Sequence, residues 1–200
     1  MKQKKMLAIL AEPGKEPQML ELPAAEPHHD EAIRDALGGN YGAVEFFRLE
    51  KGVSLFLLVN DLAAVLELPP NRRFPPPDEA QIIFGNVIFI LAYNGETERE
   101  GTLGMAPALC QMFIEQIKKN FQPCNGTEKP RPEDTVYYDN QGTAEEFAYR
   151  WLETDKPGDA ELGEPIAAGR VKFYQRGELM EAGGRFFKKV EIYTKDTPLR

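Results

Sequence analysis

The sequence predicts an α+β protein: a mixed or antiparallel sheet with one or two helices packed on one face, followed by a smaller strand–helix–hairpin unit. Three observations carry this. Apolar runs of strand length at 6–11, 53–59 and 82–93 are punctuated by Gly, Pro and Asn turn signals. Helical spacing of apolar residues is found in stretches such as 32–37 and 107–121. Between 122 and 134 lie Pro123, Gly126, Pro130 and Pro132 with few apolar residues, which reads as a linker. The division expected is therefore a domain at 1–121, a linker at 122–135 and a small α+β unit at 136–200.

Taken in order, the run 6–11 stops at Pro13-Gly14 and 18–22 stops at Pro23, a hairpin pattern. His29 or Asp30 can cap a helix through Ala32, Ile33, Ala36 and Leu37, four residues on one helical face. Gly38-Gly39 ends it, because glycine accepts the left-handed geometry of a helix stop. Residues 41–49 and 53–59 read as strands around Glu50-Lys51-Gly52. The second is apolar at nearly every position, which predicts a central strand covered on both faces. Residues 62–68 fit either a helical turn or a strand. Five prolines between 69 and 78 predict a stiff extended loop, since each fixes φ and lacks an N–H. Residues 82–93 read as one long strand, and Pro107 suits the first turn of a helix to about Phe121. That helix is expected to turn Leu109, Phe113 and Ile117, with Met112 or Gln116, toward the sheet.

Beyond the linker, 136–138 reads as a strand. Thr143-Ala144-Glu145-Glu146 matches a capping box opening a helix through Phe147 and Trp151. Residues 156–165 read as loop. Residues 170–175 and 185–193 read as two strands joined near Arg176-Gly177 or Gly183-Gly184.

The composition narrows the function. An apolar fraction of 42% supports a real core, unlike a disordered chain. A net charge of −8 disfavours bulk binding to nucleic acid or anionic membranes. Cys110 and Cys124 are too few and too far apart for a zinc site or disulfide scaffold, and read as reduced thiols. The run 6–11 is too short for a signal h-region, and no run approaches a membrane span. The expectation is a cytoplasmic protein without membrane contact, cofactor or metal.

Residues 6–121 resemble the DUF3846 family, a bacterial and phage domain of unknown function. The matching pieces are Glu12-Pro13-Gly14-Lys15-Glu16-Pro17, Leu37-Gly38-Gly39, Ala43-Val44-Glu45 and Val59-Asn60. They continue with Leu68-Pro69-Pro70-Asn71-Arg72, with Ile82-Ile83-Phe84-Gly85-Asn86-Val87-Ile88-Phe89, and with Lys118-Lys119-Asn120-Phe121. The resemblance implies a protein carried on phages, plasmids or integrative elements. It implies no catalytic residues, cofactor or substrate. Pro75-Pro76-Pro77 departs from the family pattern, and the chain after Phe121 lies outside it.

Several residues are candidates for a site. Residues 69–73 lead: prolines pre-set the backbone, and Arg72 offers a planar fork for carboxylate or phosphate. Asn60, Asn71, Arg72 and Arg73 form the expected partner-binding set. The bland alternative pairs Arg72 with an internal carboxylate and lets Asn71 satisfy its own turn. Residues 167–200 carry eight Lys/Arg against four Asp/Glu, whereas 121–166 carry four against eleven. Arg170, Lys172, Tyr174, Arg185 and Lys188, interleaved with Phe173, Phe186 and Phe187, could steer and stack single-stranded nucleic acid. Alternation equally predicts aromatics packed inward with Lys/Arg in water. The acidic stretch 96–100 could mimic DNA phosphates, as antirestriction proteins do. His28-His29-Asp30-Glu31 has metal-ligand types but diverging side chains, and reads as an exposed helix start. The single serine, Ser54, lies mid-strand, which argues against a Ser-His-Asp triad. The leading expectation is a non-enzymatic accessory protein that binds a protein partner, with nucleic-acid binding as the runner-up.

Overall fold

The computed structural model describes residues 5–77, 80–96, 98–130, 137–139, 147–168 and 171–192. The chain divides into two compact units, one of residues 1–63 and 67–130, the other of 64–66 and 131–200.

The first unit runs β1 (Lys5–Ala11), β2 (Gln18–Pro23), α1 (His28–Leu37), β3 (Tyr41–Arg48), β4 (Val53–Asn60), β5 (Pro70–Arg73), β6 (Ile82–Phe84), β7 (Val87–Tyr93), β8 (Thr102–Leu103) and α2 (Pro107–Asn120). Its main sheet has the order β2-β1-β7-β4-β3 and is antiparallel throughout. β7 is its hub. It pairs with β4 along its whole length, with β1 at Val87–Phe89 and with β8 at Leu91 and Ala92. β3 is an outer strand whose register shifts at Phe46, and Phe46 packs against Phe121.

The helices lie on opposite faces, not on one. Ile33 and Leu37 of α1 pack with Ala8, Leu22, Leu58, Ile88 and Ile90. Cys110, Phe113, Ile114 and Ile117 of α2 pack with Ile9, Leu55, Leu57, Val87 and Phe89. Neighbouring residues of β4 and β7 thus enter different cores, which is why both strands are apolar at consecutive positions. Burial of Phe113, Ile114 and Ile117 contributes about 1.5–3 kcal/mol each relative to exposure. The α2 stripe is 110-113-114-117, a cleaner i, i+3, i+4, i+7 set than the expected 109-113-117. Gln116 is exposed, and Met112 is 51% exposed.

Two further expectations change. Residues 82–93 are not one strand. Gly85, at φ 75°, breaks the run, so that β6 leaves the main sheet and pairs with β5 in a separate ribbon. His29 does not cap α1 and is not exposed. It is buried within the first turn, with Nδ1 2.8 Å from the Pro23 carbonyl and Nε2 2.9 Å from Thr102 Oγ1. A carbonyl only accepts, so Nδ1 is the donor to Pro23. The C-terminal stop holds as expected, with Gly38 left-handed at φ 78°.

The second unit contains β9 (Tyr137–Asp139), β10 (Phe147–Thr154), α3 (Asp159–Leu162), β11 (Ile166–Ala168), β12 (Val171–Tyr174), β13 (Leu179–Ala182) and β14 (Arg185–Ile192). They form one antiparallel sheet in the order β11-β12-β13-β14-β10-β9. The helix expected through Phe147 and Trp151 is a strand, paired with β14 from Ala148 to Thr154. The aromatic-rich segment is better satisfied as a pleated strand than as a helix. The capping-box residues Thr143 to Glu146 lie outside the described residues. The expected two-strand hairpin holds a third strand, β13, and both candidate turns are used. No helix among the described residues is long and apolar enough to cross a membrane.

Candidate functional site

The two stretches richest in family signal, 12–17 and 68–73, are held together by side-chain chemistry. Residues 70–73 are not an exposed loop. They form β5, paired with β6 on one side and bridged to Pro123 at Arg72 on the other. Arg73 N–H donates to the Gln122 carbonyl at 2.8 Å, and Cys124 N–H donates to the Asn71 carbonyl at 3.0 Å. Residues 122–124, part of the stretch read as linker, thus cover one side of the segment that was expected to meet a partner.

Asn71 is 1% exposed. Its Nδ2 donates to the Ala11 carbonyl at 2.9 Å and to the Gly85 carbonyl at 2.7 Å. Its Oδ1 accepts from Arg72 Nη1 at 2.6 Å. One amide therefore ties the end of β1, the β6–β7 turn and β5 together, with both Nδ2 hydrogens used.

Arg72 is 4% exposed. Its Nη2 donates to the Lys15 carbonyl at 2.8 Å, across 57 residues of sequence. Its Nε is buried without a partner among the described residues. Burial pulls its pKa down, with Glu16 and Cys124 acting in the opposite sense. Neither hydrogen-bond partner is a carboxylate, so the internal ion pair offered as the bland alternative is not what holds it. Above this anchor the 12–17 loop carries exposed Gly14, Lys15 and Glu16 between buried Ala11 and Pro17. Lys15 pairs with Glu12 at 3.0 Å, and Glu16 pairs with Lys118 of α2 at 3.0 Å.

The family model described as "Domain of unknown function (DUF3846)" matches residues 5–118, more than half of the chain. The chain belongs to the DUF3846 family. No curated protein and no solved structure matches it.

Within the DUF3846 domain, the remaining expected partner residues are also bonded internally. Asn60 is buried, its Nδ2 donating to the Leu37 carbonyl at 3.3 Å and its Oδ1 accepting from Leu62 N–H at 2.9 Å. It closes the C-terminal end of α1 against the turn after β4. Arg73 is partly exposed and pairs with Glu128 at 2.8 Å. Burial and Glu128 push the Cys124 thiol up, outweighing Arg73 and Arg72. That is the opposite of an activated nucleophile. Ser54 is fully buried, donating to Glu45 Oε1 at 2.7 Å and accepting from Asn94 Nδ2 at 3.1 Å.

Outside the DUF3846 match, Lys172, Tyr174 and Arg185 of the basic C-terminal set have partners within the second unit. Arg170 lies outside the described residues. Tyr174 is buried beside Phe186 and donates to Glu181 at 2.7 Å. Lys172 pairs with the same Glu181, holding that carboxylate below its ordinary pKa after the Tyr174 contact. Arg185 lies over the Phe187 ring and 3.6 Å from Glu153, while Lys188 is exposed. Trp151, Phe186 and Phe187 are buried. These rings are not available as a stacking platform for bases, which corrects the role given to Tyr174.

The candidate residues that the sequence did not single out are Lys15, Glu16 and Lys118. Lys15 and Glu16 lie in Glu12-Pro13-Gly14-Lys15-Glu16-Pro17 and Lys118 in Lys118-Lys119-Asn120-Phe121, which mark the family but match no catalytic pattern.

Proposed function

We propose that this protein is a non-enzymatic accessory protein of a phage or other mobile element, acting in the cytoplasm and binding a protein partner through the 12–17 loop. The observation that carries this reading is the hydrogen bond from buried Arg72 to the Lys15 carbonyl. A buried cation that fixes the backbone of an exposed loop gives that loop one geometry before any partner arrives. Pre-organisation of this kind lowers the ordering cost of binding. Exposed charged Lys15 and Glu16, flanked by Pro13 and Pro17, supply the recognisable chemistry. The mobile-element setting rests on the family resemblance alone.

The test is a tagged pull-down from host lysate, with and without nuclease, comparing the native chain with a Lys15→Ala/Glu16→Ala double variant. A partner that survives nuclease and is lost with the double variant is the expected result. Both side chains are exposed, so stability should change by no more than about 0.5 kcal/mol each. Capture that is equal for both chains removes the loop from the account. Recovery that disappears with nuclease moves attention to nucleic acid.

A further inference from the structure

We propose that Asn125-Gly126 is a self-modification site, where the Asn125 side chain passes through a cyclic imide to aspartate or isoaspartate while Asn94-Gly95 is spared.

The dipeptide Asn-Gly occurs at 94–95 and at 125–126. A glycine has no Cβ to shield its nitrogen from the side-chain carbonyl carbon of the preceding asparagine. Both glycines are left-handed, with φ 81° at Gly95 and 85° at Gly126. The two dipeptides are therefore alike in themselves and differ in their surroundings.

Asn94 is half-buried and held at both ends of its amide. Its Nδ2 donates to Oγ of fully buried Ser54 at 3.1 Å, and its Oδ1 accepts from Glu96 N–H at 3.2 Å. Its own N–H donates to the Gly52 carbonyl at 2.9 Å. The nitrogen that would have to leave is thus anchored in the sheet.

Asn125, Gly126 and Thr127 are all exposed. Asn125 Oδ1 accepts from Thr127 N–H at 2.9 Å and from Thr127 Oγ1 at 2.6 Å. A backbone N–H only donates, which fixes the oxygen on that side of the amide. Two donors on one carbonyl oxygen draw electron density from Cγ and stabilise charge that gathers on Oδ1 under attack. Neither Asn125 Nδ2 nor the Gly126 N–H has a hydrogen-bond partner among the described residues.

In the first step Gly126 N gives its proton to solvent base and bonds to Asn125 Cγ. The Cγ–Nδ2 bond breaks, and Nδ2 takes a proton and leaves as ammonia. Water then opens the five-membered imide at either carbonyl, giving aspartate or isoaspartate. No oxidant or cofactor enters. The isoaspartyl product adds a backbone methylene between two anchors of β5, the Cys124 N–H on the Asn71 carbonyl and Glu128 on Arg73.

The test incubates the full chain in ¹⁸O-water at neutral and mildly alkaline pH, then maps its peptides by mass spectrometry. The expected result is heavy oxygen at residue 125, at a rate that rises with pH and exceeds that at residue 94 at least about 10-fold. In urea, where the surroundings are lost, the two rates should converge. Thr127→Val, which keeps the N–H and removes the hydroxyl, should slow conversion about 2- to 10-fold in the folded chain. Asn125→Gln should abolish the label at that position. No label at 125, or equal labelling at 94 and 125 in the folded chain, overturns the proposal. A rate difference that persists in urea overturns selection by the fold. Faster conversion in Thr127→Val would show that the Thr127 bonds protect the amide, and would overturn the activation argued from them.

Discussion

Asn71 holds three backbone segments with one side chain, and its removal shows what that is worth. Asn71→Ala leaves the Ala11 and Gly85 carbonyls without their donor and takes an acceptor from Arg72. Each orphaned buried group costs about 1–3 kcal/mol, so a combined loss of about 2–4 kcal/mol is expected. Urea unfolding should show a lower midpoint with an unchanged slope. A change within about 0.5 kcal/mol would mean that the network is dispensable. Arg73→Ala is the control, since its partly exposed pair with Glu128 should be worth about 1 kcal/mol or less. Asn71 and Arg72 were recognisable in the sequence as special, but their direction was not. Prolines on both sides suggest an exposed loop. The acceptors that bury these side chains are main-chain carbonyls far along the chain, which leave no residue-type signature.

At the scale of elements, local signals worked where a periodic apolar pattern met a chemical stop. β1, β2, α1, β4 and α2 all follow that rule. The failures have a common cause in context. Residues 82–93 look like one strand because nearly every side chain is apolar, and only Gly85-Asn86 records that the run serves two sheets. β10 looks helical because a capping-box match precedes it, whereas seven pairs with β14 decide the matter. Gly85→Ala tests the first point. At φ 75° a side chain is strained, and the new Cβ would lie 2.6 Å from Leu68 Cδ1. A destabilisation of about 1–3 kcal/mol is expected by thermal unfolding. Leu68→Ala in the same chain should recover part of it, a non-additive pair. Full additivity would show that backbone strain alone is responsible.

For the whole molecule, the physical edge of the first unit lies beyond its family boundary. The family match ends at residue 118, yet Gln122 and Cys124 complete the hydrogen bonding of β5. A fragment of residues 1–130 should therefore be more stable than one of residues 1–121. Two lost backbone hydrogen bonds are worth about 1–3 kcal/mol together. Equal unfolding midpoints for the two fragments would show that this edge adds nothing. The pairing is invisible to a sequence profile because backbone atoms make it and any residue can supply them.

The meeting of β1, β7 and β8 has a consequence for how this sheet can change over time. Continuing the register of Ile9 with Phe89 would place Leu7 opposite Leu91, but Leu103 holds that position. The next residues then cross to β1, where Met105 N–H donates to the Leu7 carbonyl. The 102–105 segment therefore works as a gusset let into a seam, closing the gap where two strands diverge. A gusset can be recut without unpicking the garment. Changes to the length or angle of this segment would alter the spread of the sheet while the joint between β4 and β7 stays intact. If relatives differ in width, this is the place in the molecule where the difference could be absorbed.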